Sequence, residues 1–222
     1  MPKTAVVLLL LSCPAWASTL VQDFGFEDPV ITDPSHPYSY RPTGTAWDFG
    51  AGSDGITAVT SDPSIGFGMT SAESGNQAAF IQKANSEISQ IITLAPGFYR
   101  VGFYAATRPD TPGSNPFFGG GEDFNVFWNS TLIGTYLPTS TTFSFFTSDY
   151  FQASGTGVLS FVGIDSNNSC DQDPSYKVCD RTAFIDDVGI YTPEPSGTVL
   201  LFSGILLIGL VLRRDLVKIR AL

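Results

Sequence analysis

The chain is expected to fold as an all-β protein, an antiparallel two-sheet β-sandwich of the jelly-roll kind. Three observations carry that expectation. Short segments alternate apolar and polar residues with the period of two of a half-buried strand. Gly, Pro, Asn and Ser separate these segments, and no stretch between the two hydrophobic ends carries a capped 3.6-residue stripe. Composition agrees, since 22 Gly, 15 Pro and 18 Phe in 222 residues, with only 14% charged residues, suit a loop-rich β domain.

The clearest alternation runs through Gly97 to Ala105, where Tyr99, Val101 and Phe103 share one face and Arg100 and Tyr104 the other. Similar runs occupy Ile88 to Leu94, Phe124 to Trp128, Thr142 to Phe151, Val158 to Ile164 and Ala183 to Tyr191. Ala95-Pro96-Gly97 reads as a tight turn between two of these strands. Residues 18–191 form one domain, long enough to bury a core of its own and without an internal repeat.

Both ends read as address labels. Lys3, the apolar run Ala5 to Leu11 and Ala15-Trp16-Ala17 form a signal peptide, residues 1–17, cut after Ala17. Leu10-Leu11-Ser12-Cys13 is a loose lipoprotein box, with Pro14 against it. At the other end, residues 192–222 hold Pro193-Glu194-Pro195, an apolar helix over 198–212 and the basic pair Arg213-Arg214. Its fifteen residues make about 22 Å of helix, short for a ~30 Å hydrocarbon core, and the arginines would stay cytoplasmic. A plain C-terminal membrane anchor is the alternative to a sorting tag.

Once both ends are set aside, the domain keeps six basic residues, Arg41, Lys83, Arg100, Arg108, Lys177 and Arg181, against nineteen carboxylates. A domain thirteen charges negative repels phosphate backbones, which excludes nucleic acid as a partner and leaves neutral ligands or divalent cations. Cys170 and Cys179 form an even pair around a polar loop and read as a disulfide in an oxidising compartment. A two-thiolate metal site is the alternative, without a second pair or a nearby His to complete it. The single His36 leaves no Ser/His/Asp set, and neither a phosphate loop nor zinc spacing occurs, so no catalytic residue is assigned. Paired acids could still form a glycoside hydrolase by chance.

Several segments resemble a known family. Phe24-Gly25-Phe26-Glu27-Asp28-Pro29, Trp47, Gly75 to Ile81, Ile88-Ser89-Gln90, Gly97-Phe98-Tyr99, Phe103 to Ala106 and Ala183 to Val188 resemble, in order and spacing, the galactose-binding-domain-like jelly rolls that include many carbohydrate-binding modules. The tail is similar to the PEP-CTERM sorting segment of bacterial surface proteins handled by an exosortase, although Asp215 to Leu222 runs past the usual end. The first resemblance implies an extracellular polysaccharide as partner and a structural calcium ion on Glu27 and Asp186. The second implies an exosortase partner, transient membrane attachment and a final place at the cell surface or in the extracellular matrix.

The residues add their own reading. In Phe184 to Ile190, period two puts Asp186 on the face of Phe184, Val188 and Ile190, the face expected to meet the core, where a carboxylate must be paired or metal-bound. Backbone N–H groups or Arg181 could satisfy it instead. For a sugar, aromatic faces and polar groups are needed, and Tyr104, Arg108, Asn125 and Trp128, with Phe117 and Phe118 in the Pro109 to Gly121 loop, are the candidates. Each could equally be sandwich core, and Trp128 is expected to pack with Phe124 and Val126. The function expected is non-catalytic carbohydrate binding, with a structural matrix or display protein as the alternative.

Overall fold

A computed structural model describes residues 20–109, 121–164 and 181–193. The signal peptide, Phe117, Phe118, Cys170, Cys179 and everything beyond Pro193 lie outside the described residues, as do the tag's Glu194, Pro195, Arg213 and Arg214. Among the described residues no helix is long and apolar enough to cross a membrane. The strands all fall within one unit, Trp16–Thr192.

Ten strands follow one another: β1 Tyr38–Tyr40, β2 Asp48–Phe49, β3 Asp54–Ala58, β4 Gln77–Ile81, β5 Glu87–Thr107, β6 Phe124–Trp128, β7 Thr131–Tyr136, β8 Ser144–Thr147, β9 Phe151–Gly163 and β10 Ala183–Tyr191. Every pairing between them is antiparallel. Sheet A runs β1-β3-β4-β10-β5-β8, and sheet B runs β2-β5-β9-β6-β7. β5 belongs to both. Its first part pairs with β9 as far as Tyr99, and Arg100 to Thr107 pairs with β10, so one strand carries the chain from one layer of the sandwich to the other.

Alternation makes the layers cohere. Tyr99, Val101, Phe103 and Ala105 of β5 face inward, as expected, against Phe124, Val126 and Trp128 of β6 and Leu159 and Phe161 of β9. Phe103 is the hub, with ring centroids 5.3 Å from Phe161, 5.8 Å from Phe124 and 5.0 Å from Tyr136. A second, smaller core covers part of the outer face of sheet A, where Phe67 and Met69 of the loop before β4 pack on Ala78, Phe80, Ala106 and Phe184.

Two expectations are corrected. Ala95-Pro96-Gly97 is a bulge inside a single 21-residue strand, not a turn between two: Leu94 pairs with Gly155 and Gly97 with Ala153, so β5 has one residue more than β9 over this step. Pro96 has no N–H to contribute to a ladder, and a bulge leaves one residue unpaired, which is where proline is tolerated in a sheet. The second correction concerns β10. Asp186 pairs with Tyr104 and Gly189 with Gly102, so one extra residue sits between them, and Asp187 there has φ 47°. The bulge inverts the parity of the strand. Ala183, Ile185, Val188 and Ile190 all join the main core, whereas Phe184 belongs to the outer one. Asp186 therefore does not share a face with Val188 and Ile190.

Candidate functional site

The four residues expected to contact a sugar are not brought together. Tyr104 is half-buried on the outer face of sheet A, where its ring lies 5.2 Å from that of Phe145. Arg108, near the end of β5, is buried over the Phe67 ring at 5.0 Å and donates to the carbonyl of Gly66 at 3.4 Å. Asn125 alternates outward from Phe124 and Val126 on sheet B, and accepts a hydrogen bond from the Thr135 hydroxyl at 2.6 Å. Trp128 is in the core, stacked on Phe151 at 5.0 Å. Period two explains the split, because Asn125 and Trp128 differ by an odd number of positions and so face opposite sides of one strand.

Glu27 and Asp186, the expected metal ligands, grip the same short turn. Asp186 is fully buried and accepts the N–H groups of Glu73 at 2.8 Å and Ser74 at 2.9 Å on Oδ2, and that of Asp187 at 2.7 Å on Oδ1. Glu27 Oε1 accepts the N–H groups of Asn76 at 2.8 Å and Gln77 at 2.9 Å. Four amides of Glu73 to Gln77 thus point at two carboxylates, and Gly75 at the bend has φ 63°; a Cβ there would fall 2.2 Å from Glu27 Oε1. Gln77 completes the closure by donating to the carbonyl of Phe26 at 2.8 Å and accepting the N–H of Ile31 at 2.6 Å. Burial still pushes the Asp186 carboxyl up to about 7, against the pull of its three amides. An oxygen-only pair suits a hard cation, and among the described residues Glu27 Oε2 accepts no hydrogen bond. Among the described residues, however, no third Asp, Glu, His or Cys joins them, so backbone carbonyls would have to complete the shell.

A second buried acid lies where β3 meets β5. Asp54 is fully buried; Oδ2 accepts the N–H of Glu87 at 3.1 Å, and Oδ1 has no partner among the described residues. Burial drives this carboxyl up to about 6, outweighing the Glu87 amide and the positive charge of Arg41.

The strongest arrangement for a ligand is one the sequence candidates only touched. On the part of sheet A left uncovered by the second core, Arg100, Gly102 and Tyr104 alternate outward along β5. Phe145 on β8 and Tyr191 on β10 flank them, because β8 pairs with one edge of this stretch and β10 with the other. Gly102 and Gly189 are cross-strand partners and leave the sheet surface bare. The rings fill that gap: a Cβ on Gly102 would lie 2.5 Å from the Tyr191 ring and 2.8 Å from Phe145. Phe145 stands at 89° to Tyr191, with centroids 6.3 Å apart, and is 48% exposed. Tyr150, 55% exposed, takes the Arg100 guanidinium over its ring at 5.7 Å. The result is an open aromatic corner with one cation at its edge.

Within this patch the sequence marks Tyr104 as a ligand candidate and Arg100 as its face partner, but Phe145-Phe146 carries no sign of which ring turns outward. The pairing decides it: Phe146 stacks on Phe103 in the core at 5.8 Å. A separate groove of about 880 Å³ lies between the 40–51 segment and β5, lined among others by Tyr40, Arg41, Trp47, Asp48 and Gln90.

No protein-family model matches the chain, and no curated protein matches it. Solved structures give loose likenesses of shape. A carbohydrate-binding module, CBM36, in complex with calcium and xylotriose aligns with TM-score 0.42 and 12% identity, covering 64% of this chain and 92% of that one. A CBM61 module in complex with β-1,4-galactotriose aligns at 0.41 and 13%, covering 78% and 98%. The CBM36-1 domain of a multidomain xylanase from the hindgut metagenome of Trinervitermes trinervoides aligns at 0.39 and 13%, covering 53% and 79%. At these scores neither ligand nor residue role transfers.

Asp54 sets a pH dependence. Its folded pKa, about 6, lies above the ordinary 3.8, so the folded chain binds this proton more tightly than the unfolded one. The resulting stability is complete below about 4 and is lost as pH rises through about 6. Urea midpoints are therefore expected to be higher at about pH 5 than at about pH 7.5, with Asp54→Asn narrowing the gap. Asp186, raised by burial to about 7, adds to the gap in the same direction, so the variant narrows the gap without closing it; an unchanged gap would show that Asp54 contributes nothing to it.

Proposed function

We propose that the chain is an exported surface protein whose sandwich binds carbohydrate without catalysing its breakdown. The observation that carries this reading is the open aromatic corner on sheet A. Pyranose rings present C–H faces that pack on aromatic rings, while their hydroxyls need polar groups at the rim. Phe145, Tyr191, Tyr150 and Tyr104 supply the rings, and Arg100 and Asp187 the rim. None of these four rings belongs to the main core, and Phe145 and Tyr150 stand well out of the sheet surface.

Binding of the full chain, held in mild detergent, to an array of polysaccharides tests the reading. Saturable binding is expected, with Tyr191→Ala and Phe145→Ala each weakening it about threefold to tenfold, the value of one ring contact. Ile91→Ala, exposed on the outer face of sheet B, is expected to change nothing. A folded chain that binds no polysaccharide would favour a structural matrix or display protein.

Glu27 and Asp186 are the side chains that would hold a calcium ion, which would reinforce the closure of the N-terminal turn on the segment before β4. Its role there is structural. If an ion is bound, the unfolding temperature rises with added calcium and falls with chelator, since a ligand of the folded state stabilises it. A midpoint indifferent to both would assign the closure to the backbone amides alone.

Export and sorting rest on the sequence of the two ends: the signal peptide, the Pro193-Glu194-Pro195 motif, the apolar segment and the arginine pair. An exosortase-type enzyme is the partner this implies, with the cell surface or extracellular matrix as the destination. Mass spectrometry of the mature protein is expected to find a C-terminus near Pro195. An intact Leu222 would instead mean a permanent membrane anchor.

A further inference from the structure

We infer that Arg100 and Asp187 are the specificity-determining pair of the aromatic corner, a donor and an acceptor that together read hydroxyl groups of a neutral polysaccharide; the inference rests on carbohydrate binding at that corner. Arg100 alternates outward between the core residues Tyr99 and Val101, and its backbone pairs with Tyr191. The guanidinium is held over the Tyr150 ring, an arrangement in which cation and ring face attract. Its Nε is buried and has no hydrogen-bond partner among the described residues. The terminal guanidinium nitrogens donate to no group among the described residues and are not buried, so a ligand oxygen at the corner finds donors there.

Asp187 supplies the opposite half. It occupies the extra position of the β10 bulge at φ 47°, and bulges redirect side chains. The bulge lies between the pairs that β10 makes with Tyr104 and Gly102, and burial first, then the charge of Asp187, raises the Tyr191 pKa while the charge of Arg100 lowers it. A cation and an anion thus both act on the tyrosine expected to carry the sugar ring. A hydroxyl can accept from Arg100 and donate to Asp187, so neighbouring hydroxyls of one pyranose satisfy both. A uronate carboxylate satisfies only Arg100, and would meet Asp187 and a domain thirteen charges negative. The chemistry selects a neutral chain.

The test compares soluble xylan, β-glucan, galactan and mannan with polygalacturonate, using the full chain in mild detergent at about 50 mM and about 500 mM salt. At least one neutral polysaccharide is expected to bind with less than about twofold change over that salt range, and polygalacturonate is expected not to bind. Arg100→Gln is expected to weaken binding about tenfold at an unchanged unfolding midpoint. Arg100→Lys should recover little, because an ammonium cannot reproduce the planar fork of guanidinium donors. Asp187→Asn keeps the bulge, since Asn tolerates positive φ, and is expected to weaken binding several-fold. Preferential, salt-sensitive binding of polygalacturonate overturns the inference, as does wild-type affinity in both Arg100→Gln and Asp187→Asn. Should Arg100→Gln fail to fold, Asp187→Asn and the neutral-over-acidic preference decide. Failure of the wild-type chain to bind any polysaccharide overturns the carbohydrate reading itself, an outcome distinct from binding that ignores Arg100.

Discussion

The backbone ladder along β5 is the constraint on which the rest of the molecule depends. Glu87 to Tyr99 is bonded to β9 and Arg100 to Tyr191 opens the ladder to β10, so a single strand is central to both sheets. Where a strand passes from one layer to the other, the two layers cannot slide independently. The inward residues of its second half, Val101, Phe103 and Ala105, meet those of β6 and β9 from the opposite sheet. The same half turns Arg100, Gly102 and Tyr104 to the outside. The core and the β5 part of the candidate site are thus two faces of eight residues, and packing on one face holds the other still.

Two single-residue bulges then decide what each face displays. At Ala95 and Pro96 the bulge absorbs a residue without a donor and lets β5 continue instead of turning back. At Asp187 the bulge reverses the parity of β10, so that Phe184 and Asp186 point outward while Val188 and Ile190 return to the core. Because side chains alternate strictly, one extra residue re-aims everything that follows it. Tyr191 reaches the open corner through that shift, and Asp186 is left to anchor the amides of Glu73 and Ser74.

Burial of Asp186 and Asp54 shows how differently the fold treats two carboxylates. Asp186 has three amide donors and a turn built around it, with Gly25 and Gly75 keeping that region free of side chains. Among the described residues Asp54 has one donor and an unpaired oxygen, with the negative charges of Glu87 and Asp48 near it. Burial raises both, yet the first is a structural clasp and the second a stored electrostatic cost.

The sequence by itself determined the fold class, the inward face of β5 and the acidic character of the domain, because alternation, turn residues and charge are local properties of the chain. The resemblance of Phe26-Glu27 and Ile185-Asp186 to a known pattern also marked both ends of the closure, since their partners are backbone amides that any residues can supply. Only the tertiary structure decided which outward residues meet. Tyr104, Arg108, Asn125 and Trp128 are near one another in composition of strand and loop but scatter over both outer faces and the core. Arg100, the Phe145 to Tyr150 stretch and Tyr191 are far apart in the chain and converge. The physical reason is register: which strands pair, and where a bulge shifts their parity, is set by long-range backbone hydrogen bonds that leave no signature in any single segment.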